Sequence, residues 1–161
     1  GRLDVYQERR ACEVVSRLTH ELSSLVTSVP EEAPKAIGGG IEGDPYSLAS
    51  RMVALVLKDA KWNATSLGPG VPLRSYGHAI QHERPRLFWL SVSSLVDEDR
   101  FVNAYNRLFD EYSDQVAFVL GGQAFTRRVR QRVKYASFCD TMQHLEQFAT
   151  MLVSQTSGGA V

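Results

Sequence analysis

Apolar residues recur along this chain with two alternating periods. Over residues 3–29 the period is helical. Val15, Leu18, Leu22, Leu25 and Val29 fall at three- and four-residue steps, which puts them on one stripe. The stripe covers two heptads, too few to define a coiled coil, and reads as a helix packing on its own domain or in a small bundle. Pro30 and Pro34 then bracket a stiff break. Beyond it, short apolar runs alternate with helical patterns. Residues 35–41 read as a buried strand. Residues 46–60 read as a helix with Leu48, Met52, Leu55, Val56 and Ala60 inward, Asp44 as its cap and Pro45 as its first residue. Residues 62–67 make a weaker strand, Gly68-Pro69-Gly70 a turn, and 73–83 a helix. The run RLFWLSV at 86–92 is the strongest strand, aromatic and branched after Pro85. Residues 98–112 form a helix with Phe101, Ala104, Tyr105, Leu108 and Phe109 inward. VAFVL at 116–120 is an apolar strand that ends in Gly121-Gly122. A short helix at 124–132 and a strand at 135–139 follow. Asp140 caps a last helix with Met142, Leu145, Phe148, Ala149 and Leu152 on one face.

Five strands alternating with helices predict an α/β fold with a parallel sheet covered on both faces. Right-handed crossovers leave few topologies. The expectation is a flavodoxin-like (Rossmann-like) five-stranded sheet of order 2-1-3-4-5, preceded by an N-terminal helical segment. The division is a helix and linker at 1–33, the α/β domain at 34–153 and a flexible tail at 154–161. Ligands of such sheets bind outside the carboxyl ends of the strands. Three segments line that edge: 39–46, 91–95 and 121–126.

Composition narrows the picture. The 161 residues carry 18 basic and 18 acidic side chains, so no global basic field supports direct nucleic-acid binding. No apolar run has the roughly 18 residues of a membrane helix. Cys12 and Cys139 lie far apart with no paired spacing, which fits a reducing compartment and a cytoplasmic protein. No signal peptide is read. The chain opens on Gly1 rather than Met and is read as a fragment of something longer. There is no nucleophile elbow, no phosphate loop and no Cys–His pair. The expectation is therefore a protein that is not an enzyme.

Each candidate side chain has a plain structural reading beside a functional one. Asp44 caps a helix or orients a ligand group. Gly38 to Gly40 and Gly121-Gly122 allow either close backbone packing or a ligand's approach. Ser91 either bonds backbone or lines a site. His78 and His82 stand four apart on a helix, the spacing of a metal pair, but no third ligand joins them. His20 and His144 lie on the first and last helices. Arg127, Arg128, Arg130, Arg132 and Lys134 form a basic cluster, either a solvated face or an anion site.

Three motifs at the sheet edge carry a family resemblance. They are Asp44-Pro45-Tyr46-Ser47-Leu48-Ala49, Ser91-Val92-Ser93 and Gly121-Gly122. At these spacings, residues 34–152 resemble the cobalamin-binding domain of methionine synthase, mutases and MerR-type photoreceptor regulators. That family carries Asp-x-His-x-x-Gly, Ser-x-Leu and Gly-Gly at these places. The resemblance implies a histidine under the cobalt, an aspartate holding that histidine, and a slot lined by the serine and glycines for the nucleotide tail. Here the histidine position is Tyr46, the glycine is Ala49 and the leucine is Ser93. Tyrosine is a weak metal donor near neutral pH, so Tyr46 reads as a plug in the slot ahead of a phenolate ligand.

The implied cofactor-binding residues are Asp44, Tyr46, Ser91, Ser93, Gly121 and Gly122, with His20, His78 and His82 as weak metal candidates. The expected function is a sensory or regulatory domain that binds a tetrapyrrole, haem or cobalamin, without the usual histidine ligation. It signals to a transcription regulator, as part of a longer protein or as a partner. The alternative is a ligand-free module for protein interaction or dimerisation, with homo-oligomers formed through the N-terminal helix. The cobalamin module of an enzyme is a third reading, and the missing histidine weighs against it.

Overall fold

The computed structural model describes residues 4–26, 29, 30 and 32–157. Five strands, β1 (Lys35–Gly39), β2 (Asn63–Ser66), β3 (Leu87–Ser91), β4 (Ala117–Gly121) and β5 (Ser137–Phe138), form one sheet of order β2-β1-β3-β4-β5. Every pairing is parallel. Six helices accompany it: α1 (Val5–Leu25), α2 (Leu48–Asp59), α3 (Leu73–Glu83), α4 (Glu98–Tyr112), α5 (Arg127–Arg130) and α6 (Met142–Ser157). This is the expected flavodoxin-like fold with its N-terminal helix.

Strand β3 explains the two cores. Its alternate residues point to opposite faces. Phe88 and Leu90 meet Tyr76 and Ile80 of α3 and Tyr105 and Leu108 of α4. Leu87 and Trp89 meet Leu57 of α2 and Leu145 and Ala149 of α6. A strand buried on both sides has no polar face, which is why RLFWLSV reads as a continuous apolar run.

Several local expectations are corrected. The first helix stops at Leu25, and Val26 is extended (φ −66°, ψ 127°), so Val29 is not on the stripe. Residues 27 and 28 lie outside the described residues. Helix α2 starts at Leu48 with Ser47 as its cap, because the carboxylate of Asp44 is engaged elsewhere. Its buried face is Ser50, Ala54 and Leu57, rotated from the expected Leu48, Met52 and Leu55, while the expected Val56 and Ala60 do pack against the core. The cause is a second neighbour: α2 lies between the sheet and α1, so it is apolar on two sides. Thr141, not Asp140, caps α6 by accepting the His144 N–H at 3.1 Å. Asp140 instead stands 3.9 Å from Arg130. Helix α6 runs on to Ser157, through the start of the expected tail, and residues 158–161 lie outside the described residues.

Gly38 shows what the triple glycine does. A Cβ there would lie 2.2 Å from the Trp89 carbonyl oxygen and 2.3 Å from its indole. The glycine makes room for a tryptophan on the next strand, not for a phosphate. The substitution Gly38→Ala is expected to cost about 1–3 kcal/mol through overpacking. A urea melt would show a lower midpoint at unchanged slope.

Burial also predicts alkaline lability. The Tyr76 hydroxyl donates to the Gly40 carbonyl at 2.7 Å, and the Tyr105 hydroxyl to that of Lys134 at 2.7 Å. Burial pushes both phenols well above their ordinary value of 10.0. Above that pH the unfolded chain loses protons that the folded chain keeps, so stability falls as pH rises. The expected slope is up to about 1.4 kcal/mol per pH unit for each tyrosine. Urea melts between neutral pH and pH well above 10 should show it, and Tyr76→Phe with Tyr105→Phe should flatten it.

Candidate functional site

The carboxyl ends of β1, β3 and β4 meet at one edge. After β1 the chain makes a single bridge from Ile41 to Val71 and turns through Gly43 at φ 85°. That turn delivers Asp44, only 1% exposed. One carboxylate oxygen accepts the Tyr46 N–H at 3.2 Å. The other accepts the Ser93 N–H in the loop after β3. Asp44 therefore clamps two loops together, a charge-assisted arrangement, instead of starting a helix.

Beside this clamp lies a cavity of about 240 Å³ between the sheet and helices α2 and α6. Ser91, Gly121 and Gly122 line it, with Val53 of α2, Met142 of α6 and Cys139 after β5. Ser91 reaches it because it shares a face of β3 with Trp89. No protein group among the described residues hydrogen-bonds the Ser91 hydroxyl. The indole of Trp89 lines the cavity too, and its N–H donates to Ser50 Oγ at 3.1 Å. Ser50 Oγ in turn lies 3.0 Å from Ser66 Oγ, so the indole is held by a chain of hydroxyls.

The two glycines do different work. Gly122 sits at φ 111°, and a Cβ there would lie 2.2 Å from the Val92 carbonyl oxygen. Backbone packing alone demands it. Gly121 is less constrained, its Cβ position being 3.1 Å from the Cys139 carbonyl oxygen, and it keeps the cavity open on the β4 side. Burial pushes the Cys139 thiol up, against a weaker opposing hydrogen bond from Ser137. It lines the cavity as a neutral thiol.

The structure thus brings Ser91, Gly121 and Gly122 to the cavity and groups Asp44, Tyr46 and Ser93 next to it. Tyr46 is not the plug that the pattern suggested. It is 39% exposed and does not line the cavity. Its hydroxyl reaches Glu8 of α1 at 3.5 Å, and the Arg9 guanidinium lies 5.8 Å from its ring centre. Contact with α1 draws it away from the slot.

The histidines are scattered. His78 and His82 are exposed on α3, across the sheet from the cavity, and His82 Nδ1 lies 3.0 Å from Glu83. His20 lines a different hollow between α1 and α2, and His144 is exposed on α6. Among the described residues, no group of three or more His, Cys, Asp or Glu side chains is placed to hold a metal ion. The basic cluster is neutralised locally: Arg128 by Glu98, Arg130 by Asp140, Arg132 by Asp99 and Lys134 by Asp110. No described helix is long and apolar enough to cross a membrane. Sequence reasoning missed Trp89, Val53, Cys139 and Met142 as cavity walls. Strand alternation from Ser91 pointed to Trp89, but nothing local marks the helix residues.

No protein-family model and no curated protein matches the chain. Solved structures do. A monomethylamine corrinoid protein of Methanosarcina barkeri superposes with a TM-score of 0.77 at 17% identity, over 93% of this chain and 72% of that one. A methanol:cobalamin methyltransferase complex of the same organism gives 0.68 at 14%, over 94% and 58%. A cobalamin-binding protein of Desulfitobacterium hafniense DCB-2 gives 0.63 at 17%, over 88% and 67%. The fold is that of the cobalamin-binding domains, the flavodoxin-like class that the edge motifs resembled.

The clamp yields a prediction. Replacing Asp44 by Ala strands two backbone donors, one of them in each loop. The expected cost is about 1–3 kcal/mol, read as a lower melting temperature, with Asp44→Asn recovering part of it.

Proposed function

We propose that this chain is a corrinoid-binding module of regulatory type, which holds its ligand without catalysing a reaction of its own. The observation that carries this is the cavity lined by Ser91 and Gly121 at the carboxyl edge. Its mostly apolar walls suit a planar base on a flexible tail, and Ser91 has a free hydroxyl for it. At about 240 Å³ it is below the size of a whole-cofactor pocket, which suits a tail and not a macrocycle.

The residues fit the tail and not the usual axial bond. Tyr46 stands where the family's histidine would, but it is turned to Glu8 and Arg9. In this reading Ser91, Gly121 and Gly122 hold the tail. Asp44 and Ser93 set the loop positions, and Tyr46 stays with α1. The corrinoid would supply a cobalt centre able to take up and release an alkyl group. Haem fits less well, because it has no comparable tail and His20, His78, His82 and His144 all lie away from the cavity. The contact between Tyr46 and α1 suggests the output route. Ligand arriving at the edge would press on Tyr46 and so on α1, and α1 would pass the change to a partner domain or transcription regulator that it contacts.

The test is a visible titration of the chain with hydroxocobalamin, adenosylcobalamin and haemin. A saturable shift with a corrinoid is expected, weakened at least about tenfold by Ser91→Leu, about 1.4 kcal/mol, because leucine fills the slot. Tyr46→His should change the cobalamin spectrum by adding an imidazole donor. Absence of any corrinoid shift with the native chain overturns the reading and leaves the protein-interaction alternative.

A further inference from the structure

Helix α1 sits on its domain the wrong way round. Its inward residues are Cys12, Ser16, Thr19 and Ser23, small and mostly polar, and Thr19 is buried. The seam they form with α2 is largely polar. It encloses a hollow of about 440 Å³ lined also by Arg51 and Lys58. Meanwhile Val15 is 37% exposed, Leu18 51%, Leu22 49% and Leu25 79%. An amphipathic helix packed on its own core does the reverse. At 100° per residue, the apolar stripe lies about a quarter turn or slightly more around the helix from the seam. Its carboxyl half is one wall of a groove of about 400 Å³, in which Leu22 and Leu25 face Leu55 and Val56 of α2.

We infer that α1 is a self-association helix, and that two copies of this chain pair antiparallel through Val15, Leu18, Leu22 and Leu25. The groove calls for a helix with apolar side chains at three- and four-residue steps, and α1 itself is one. Set antiparallel with Leu18 opposite the second copy's Leu22, the helices also bring Val15 opposite Leu25, and the reciprocal pairs follow from the two-fold axis. The paired layers are apolar, while Asp59 and Glu146 also line the groove. The amino half of each stripe then fills the groove beside the carboxyl half of the other. A parallel pair would set groove against groove and leave both hollow. The macrodipoles also oppose in the antiparallel arrangement. Four side chains and one groove per copy make a small interface beside the roughly 2,000 Å² and more of an obligate dimer. The dimer is therefore reversible. Since it rests on no ligand, it stands or falls separately from corrinoid binding.

The experiment is sedimentation equilibrium of the full chain across a dilution series. The mass is expected to climb from one chain towards two, and Leu22→Glu should weaken the association about a hundredfold while the circular dichroism stays unchanged. Leu22→Met should keep it. A second arm fixes the register in a Cys12→Ser, Cys139→Ser background. Oxidation of a mixture of Leu18→Cys and Leu22→Cys chains should link the two variants to each other in preference to themselves. A chain that stays monomeric at every concentration overturns the inference, as does a dimer indifferent to Leu22→Glu. Preferential Leu18→Cys self-linkage overturns the antiparallel register.

Discussion

The indole of Trp89 occupies the middle of the sheet, and the carboxyl edge is arranged around it. It lies across Gly38 on the neighbouring strand, where any side chain would collide. It takes Ser50 of α2 as its hydrogen-bond partner, and Ser50 brings Ser66 of β2 into the same chain of hydroxyls. One buried ring thereby requires a glycine on β1 and ties α2 and β2 to the sheet face. The cavity at the strand ends begins where this ring stops. A buried indole whose N–H is satisfied contributes both area and orientation, so the same residue serves as core and as wall.

The cavity's polar rim depends on Asp44. A buried carboxylate is costly unless it is well bonded, and here two backbone donors from two loops supply the bonds. The aspartate steadies the loops themselves, and Tyr46 lies at the surface, where Glu8 and Arg9 of α1 meet it. The clamp therefore holds this edge together, and Tyr46 beside it touches α1.

Helix α1 has two demands on it. Its small polar face gives a loosely filled seam with α2, in which Lys58 reaches Ser23 at 3.5 Å. Its leucine face offers the larger share of burial energy, roughly 25 cal/mol per Å² of apolar surface.

Much of this was legible in the residues alone. The alternation of apolar runs and helical stripes determined the strand order, because parallel strands and right-handed crossovers allow few alternatives. Helices α3 and α4 were bounded to the residue, since Pro72 and Pro85 and the Asp97 cap are local signals. The edge motifs determined which loops meet. What the sequence could not decide was direction. Asp44 reads as a helix cap until Ser93, forty-nine positions away, is seen to claim its carboxylate. Tyr46 reads as a plug until α1 is placed beside it. The basic cluster reads as a solvated face or an anion site until each of four cations finds an acid on α4 or before α6. The stripe of α1 reads as core until its small face is found against α2. In each case local pattern sets which side chains share a face, while only long-range packing decides what that face meets.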